Sequence, residues 1–135
     1  MRILSFETAT YFGGVALLGD DGVADSAGPF PARGASRDVL RAARDMLAAR
    51  GWVLEDIDLV AVSTGPGLFT GVRVGMSLAK AMAWTREGTG RPALVGVGTL
   101  RAVARLAVTA IAAPAPVPAR RTAARNVPTP TSAGR

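Results

Sequence analysis

The chain contains neither cysteine nor histidine. Without cysteine there are no disulfides and no thiolate ligands, and without histidine a zinc site of the usual nitrogen and sulfur donors is excluded. The same absences remove any Ser-His or Cys-His nucleophilic machinery, which leaves carboxylates, hydroxyls, lysine and backbone amides for chemistry. Long apolar runs are missing too: none reaches membrane-spanning length. The N-terminus enters Ile3-Leu4-Ser5-Phe6 directly, with no secretory pattern, so a soluble cytoplasmic protein without membrane attachment is expected.

What is present bounds the class. The 135 residues suffice for one domain with a real core, and 49% of them are apolar, which excludes compositional disorder of the whole chain. The net charge of +6 would suggest nucleic acid, but its distribution argues otherwise. Residues 1–108 hold 12 basic and 10 acidic side chains, whereas Arg120, Arg121, Arg125 and Arg135 lie in a C-terminal stretch with no acid. The basicity belongs mostly to that stretch.

The most informative segment is Leu59–Gly75, LVAVSTGPGLFTGVRVG. Leu59-Val60-Ala61-Val62 has the length and β-branching of a buried strand. Ser63-Thr64-Gly65-Pro66-Gly67 breaks it. Thr70 is expected to cap a helix running from Gly71 towards Trp84. A strand, a glycine-rich turn and a helix start can converge backbone N–H groups on an anion. This is not a P-loop, because Val72 follows Gly71 where the phosphate-binding lysine would stand. Such βα turns are more often plain connections than binding sites.

Upstream, residues 2–7 read as a strand, Glu7-Thr8-Ala9-Thr10 as a break, and Val15–Leu18 and Val23–Ala27 as two more strands. Asp20-Asp21-Gly22 is a strong hairpin signal between the latter two. Pro29–Gly34 reads as a loop. Ser36 is expected to cap a helix to about Arg50, with Gly51 as its C′ residue. The apolar stripe of that helix is Val39, Leu40, Ala43, Met46 and Leu47. Downstream, Gly88–Pro92 is a loop, Ala93–Val97 a fifth strand, and Gly98-Thr99 the start of a last helix. The expected architecture is α/β with a mixed five-stranded sheet in the order βββαβαβα, whose helical crossovers imply parallel pairing beside an antiparallel trio. Domain 1–108 is then followed by an Ala/Pro/Arg/Thr-rich tail, 109–135, expected to be disordered.

Gly71, Gly75, Ala79 and Ala83 recur at i, i+4 and form a side-chain-poor stripe. Two glycines in a helix cost roughly 1 kcal/mol each relative to alanine, so a close contact must compensate. That contact is either internal, against the sheet, or external, against another helix.

Residues 1–108 resemble the N-terminal half of the TsaB (YeaZ) family. The strongest match is Gly65-Pro66-Gly67-Leu68-Phe69-Thr70-Gly71-Val72-Arg73-Val74-Gly75, close to GPGSFTGLRIG in that family. Glu7-Thr8-Ala9-Thr10 is similar to its DTST or DTAT turn, and Asp56-Ile57-Asp58, Val95-Gly96-Val97 and Thr99-Leu100 also correspond. The resemblance implies half of an actin/Hsp70-like fold, built as a ribonuclease-H-like domain. It also implies a mainly non-catalytic partner of TsaD, the catalytic subunit that places threonylcarbamoyl on N6 of adenosine 37 in tRNAs reading codons that start with A. Further implied partners are the ATPase TsaE, tRNA through the complex, and a second copy of the chain. The implied interface uses the helices at 36–50 and 71–84, with Val39, Ala43, Met46, Gly71, Gly75, Ala79 and Ala83 as its candidate residues.

Three departures qualify what is inherited. Glu7 replaces the usual aspartate. Ala35 and Arg37 replace His and Glu of an HSE stretch. Residues 109–135 do not resemble the family's second half, which is expected to be absent. Beside the partner-subunit reading stands a nucleotide-binding enzyme half, in which Thr8, Thr10, Gly13, Gly65, Gly67, Thr70 and Gly71 would cradle phosphates of ATP or ADP and Glu7 would sit near magnesium. A third reading is a truncated fragment with no function alone. No cofactor is firmly implied.

Overall fold

The computed structural model describes residues 1–31, 35–84 and 92–112. Five strands, β1 (Ile3–Glu7), β2 (Phe12–Leu18), β3 (Ala24–Pro31), β4 (Leu59–Ser63) and β5 (Ala93–Val97), form one mixed sheet in the order β3-β2-β1-β4-β5. Three α-helices, α1 (Ala35–Ala49), α2 (Phe69–Trp84) and α3 (Thr99–Ala112), and a short 3₁₀ turn at Leu54–Asp56 complete the described chain. The β1–β2–β3 trio is antiparallel, whereas β1–β4 and β4–β5 are parallel, as helical crossovers require. The expected βββαβαβα order is the observed one.

Period-2 alternation decides which residues meet the helices. Leu4 and Phe6 of β1, Val15 and Leu17 of β2, and Val60 and Val62 of β4 are buried on one face. Val39, Ala43, Met46 and Leu47 of α1 and Ala79 of α2 close over them. Each large aliphatic side chain removed from water here contributes about 1.5–3 kcal/mol. Among the described residues, no helix is long and apolar enough to cross a membrane.

Local signals hold where the determinant is local. Gly22 turns the β2–β3 hairpin at φ +72°, and Gly51 ends α1 at φ +66°. There the Gly51 N–H donates to Ala48 O and the Trp52 N–H to Leu47 O, which satisfies the terminal carbonyls of the helix. Four expectations need correction. Strand β3 runs on to Pro31, through residues expected to be loop. It is an edge strand, where a missing N–H is tolerated on the unpaired side, and its pairing with β2 shifts between Gly13 and Val15. Ser36 lies inside the first turn of α1 rather than before it. Thr70 lies inside α2, which begins at Phe69; the first-turn bond is Val72 N–H to Leu68 O, so Leu68 takes the cap position. Helix α3 continues to Ala112, past the boundary expected at 108, because Thr109-Ala110-Ile111-Ala112 carries no breaker. The remaining tail, 113–135, and most of the loop expected at 88–92 lie outside the described residues.

A missed feature fastens one end of the domain. Arg50, just beyond α1, donates through Nε to Asp25 Oδ2 at 2.7 Å, through Nη1 to Asp21 Oδ2 at 3.0 Å and through Nη2 to Val23 O at 3.2 Å. The Trp52 ring lies under both Arg2, at 4.4 Å, and Arg50, at 5.2 Å. Arg2 also pairs with Asp56 at 3.2 Å, and the N-terminal amine pairs with Asp20. The Val23 N–H, donated to the Asp21 carboxylate, holds the pKa of Asp21 below its ordinary value, with Arg50 adding to the effect. The hydrogen bond to Asp25 leads in raising the pKa of Arg50.

Candidate functional site

The site expected from the sequence lies where the turn after β1 meets the glycine loop before α2. The strand end fixes Glu7, and its side chain folds back: Glu7 Oε1 accepts from the Ala9 N–H at 2.6 Å and the Thr10 N–H at 3.1 Å. The carboxylate therefore caps its own turn. Thr8 is buried and donates its hydroxyl to Gly71 O at 2.7 Å. Thr10 donates its hydroxyl to Phe12 O at 2.8 Å.

The glycine loop lies directly on that turn. The Leu68 N–H donates to Ala9 O at 2.7 Å. A Cβ on Gly67 would overlap Ala9, and one on Gly71 would overlap the Thr8 carbonyl oxygen. Gly65 turns at φ +95° and accepts through its carbonyl from the Thr99 N–H at 2.8 Å. These glycines let two backbones touch.

The phosphate-cradling set is thus not gathered into one cavity. Gly13 and Glu7 border a trough of about 430 Å³ on the sheet face turned away from α1 and α2. Gly71 packs on Thr8 and Gly67 on Ala9, and Thr10 and Thr70 are exposed. Among the described residues no three acidic side chains group to hold a metal.

The candidate interface is corrected in the same way. Val39, Ala43, Met46 and Ala79 are buried in the chain's own core. A Cβ on Gly75 would meet the Thr8 hydroxyl and approach Val62 Cγ2 to 3.2 Å. The small-residue stripe faces inward over Gly71, Gly75 and Ala79, because the sheet and the Thr8 turn press against it; Ala83, at its end, is half-buried. What α2 presents outward is a different set. Phe69 is 74% exposed and Trp84 69%. The Arg73 guanidinium lies 5.3 Å from the Phe69 ring centroid. Phe69 and Arg73, with Thr70, Val74, Ser77 and Leu78, border a shallow groove of about 490 Å³. The sequence signal for it is the set Arg73, Ser77, Lys80 and Trp84, which helical spacing puts on a face beside the glycine stripe.

Known proteins place this geometry. A family model described as TsaD: tRNA N6-adenosine threonylcarbamoyltransferase matches residues 30–124, more than half of the chain. The chain belongs to this family, on its TsaB (YeaZ) branch. It is similar to the tRNA threonylcarbamoyladenosine biosynthesis protein TsaB of Escherichia coli K12, with 37% identity over 105 residues, which is 78% of this chain and 43% of the relative. The protein of the same name from Bacillus subtilis 168 is 34% identical over 87 residues, covering 64% of this chain and 38% of the relative. The solved structure of YeaZ from Pseudomonas aeruginosa superposes with a TM-score of 0.69 at 31% identity, over 78% of this chain and 47% of that one. The chain spans less than half the length of each of these TsaB relatives. The mixed sheet with its helices is the fold shared with the solved YeaZ structure.

Proposed function

We propose that the chain is a partner subunit in the formation of threonylcarbamoyladenosine on tRNA, docking on a TsaD-like catalytic subunit and contributing no reacting group itself. The observation that carries this reading is the engagement of every polar side chain of the turn expected to cradle phosphates. Glu7 caps its own backbone, Thr8 holds Gly71, and Thr10 holds Phe12. The glycine loop packs backbone against backbone on that turn. Relatives named for tRNA threonylcarbamoyladenosine biosynthesis support the process. A TsaE-like ATPase and the tRNA belong to the same assembly in this reading, and any ATP or magnesium is bound by the complex.

The docking surface we assign is the outer face of α2, not its glycine stripe. Exposed aromatics beside an arginine have the composition of an interface centre. The test is co-purification with the TsaD-like subunit of the same organism. Wild type co-elutes; Phe69→Ala/Trp84→Ala keeps its circular dichroism and loses the partner. A folded wild-type chain that fails to co-elute sinks the reading. Magnesium ATP added to the chain alone shifts its melting temperature by less than about 1 °C, whereas a tight nucleotide site would shift it by several degrees.

A further inference from the structure

Charge is divided unevenly along the chain. Residues 1–87 hold nine basic and ten acidic side chains, a balance of −1, whereas residues 88–135 hold seven arginines and no acid, a balance of +7. Helix α3 lies in the second stretch and displays two of those arginines. Arg101 and Arg105 stand about 40° apart round the helix and about 6 Å apart along it, so they project from one side. Both are exposed, and neither pairs with an acid among the described residues.

The acids of the first stretch are largely answered where they stand. Asp20 pairs with the N-terminal amine and with Arg2 at 3.4 Å, Asp56 with Arg2, and Asp21 and Asp25 with Arg50. Glu7 caps its own turn. Asp38 and Asp45 of α1 are exposed, but Arg37, Arg41 and Arg44 stand among them on the same helix. The acid-free stretch therefore finds little counter-charge on these elements, and its cations attract a polyanion from outside the chain. All seven are arginine, whose planar fork of donors fits phosphate oxygens two at a time, where lysine is a point charge.

We propose that the stretch contacts RNA directly, Arg101 and Arg105 holding the phosphate backbone of a tRNA and Arg120, Arg121 and Arg125 adding to the same contact. Residues 88–135 include no aromatic side chain to stack on bases, so the contact is to the backbone and largely indifferent to sequence. The choice of RNA among polyanions rests on the partner-subunit reading, in which the assembly acts on a tRNA.

The test is fluorescence anisotropy of a labelled tRNA titrated with the full chain, without the TsaD-like subunit, from about 50 to about 200 mM KCl. Binding weakens with salt, and the slope of log K against log salt is about −4 to −5 for some six phosphate contacts. Arg101→Ala/Arg105→Ala keeps its circular dichroism and flattens that slope by about 1.5, and Arg101→Lys/Arg105→Lys restores it. No binding by about 20 µM chain at the lower salt overturns the proposal. So does a slope that Arg101→Ala/Arg105→Ala leaves unchanged, or one flattened instead by Arg37→Ala/Arg41→Ala/Arg44→Ala, which would put the contact on α1. Tighter binding to phosphatidylserine vesicles or to polyglutamate than to the tRNA also overturns it, in favour of a membrane or an acidic protein. Co-elution with the TsaD-like subunit is read separately. A chain that docks and does not bind RNA overturns this contact and leaves the docking reading standing.

Discussion

The Thr8 hydroxyl donates to the Gly71 carbonyl oxygen at 2.7 Å, and a Cβ placed on Gly71 would overlap the Thr8 carbonyl oxygen. Turn and helix are thereby locked backbone against backbone, with no flexible side chain to give way. Gly71→Ala gains about 1 kcal/mol of helix propensity, but it must push the first turn of α2 off the β1 turn. Urea denaturation should show a net loss of at least about 2 kcal/mol, as expected for overpacking against main chain. Unchanged stability would mean that α2 can slide on the sheet.

One turn further along, the obstacle is a side chain. A Cβ at Gly75 meets the Thr8 hydroxyl, with the Thr8 Cβ an ordinary 3.5 Å away. Gly75→Ala alone should therefore be destabilising, and Thr8→Ala alone should lose the bond to Gly71 O. Combined, they should be less harmful than their sum, because each removes the other's conflict. A double-mutant cycle should return a favourable coupling of about 1 kcal/mol. Strict additivity would show that Val62, 3.2 Å from the same Cβ, is the real barrier. It also follows that Gly75→Leu reports on folding and cannot map a docking face.

These two positions show how far the sequence could be read. Spacing of Gly71, Gly75 and Ala79 announced a close approach, since glycine inside a helix needs one. What approached was set by Thr8, 63 positions away from Gly71 in the chain, and no local pattern encodes that. The strand 59–62, the Asp21-Gly22 turn and the Gly51 helix end were legible because each depends on its own φ/ψ or periodicity. Pro29 and Pro31 were misleading: their place on an edge is decided by which strand lies outermost. The Arg50 network escaped notice because its acids sit 25 and 29 residues away, and one more arginine at a helix end looks like any other.

That network carries a pH dependence. Asp21, lowered from its ordinary value of 3.8 by the Val23 N–H and then by Arg50, contributes stability that is present above its unfolded pKa. The contribution is lost as pH falls through the lower folded value. The raised pKa of Arg50 keeps its share fully present below the ordinary arginine range, so no loss from it occurs at neutral pH. Arg50→Ala should lower the melting temperature at pH 7 by more than Asp21→Asn does, since it also releases Asp25, Val23 O and the Trp52 ring. The gap between wild type and Asp21→Asn should close as the pH falls below the ordinary aspartate value of 3.8. Thermal melts across that range check both statements, and added salt should narrow the gap, because Asp21 is exposed.

Thr99 poses the opposite case, a polar group that holds nothing. Its N–H donates to Gly65 O at 2.8 Å and so ties the start of α3 to the glycine loop. Its hydroxyl is buried and has no hydrogen-bond partner among the described residues. A buried hydroxyl without a partner costs about 1–3 kcal/mol of desolvation, and an apolar group of the same shape avoids that cost. Thr99→Val keeps both the backbone bond and the volume. It should leave stability unchanged or raise it by up to about 1 kcal/mol, which a domain of this size registers as a few degrees in the melting temperature. Thr99→Ala should instead be destabilising, because it leaves a methyl-sized gap. If Thr99→Val is the more damaging of the two, the hydroxyl has a partner in solution, and the junction of the glycine loop and α3 then becomes a place to look for bound water or ligand.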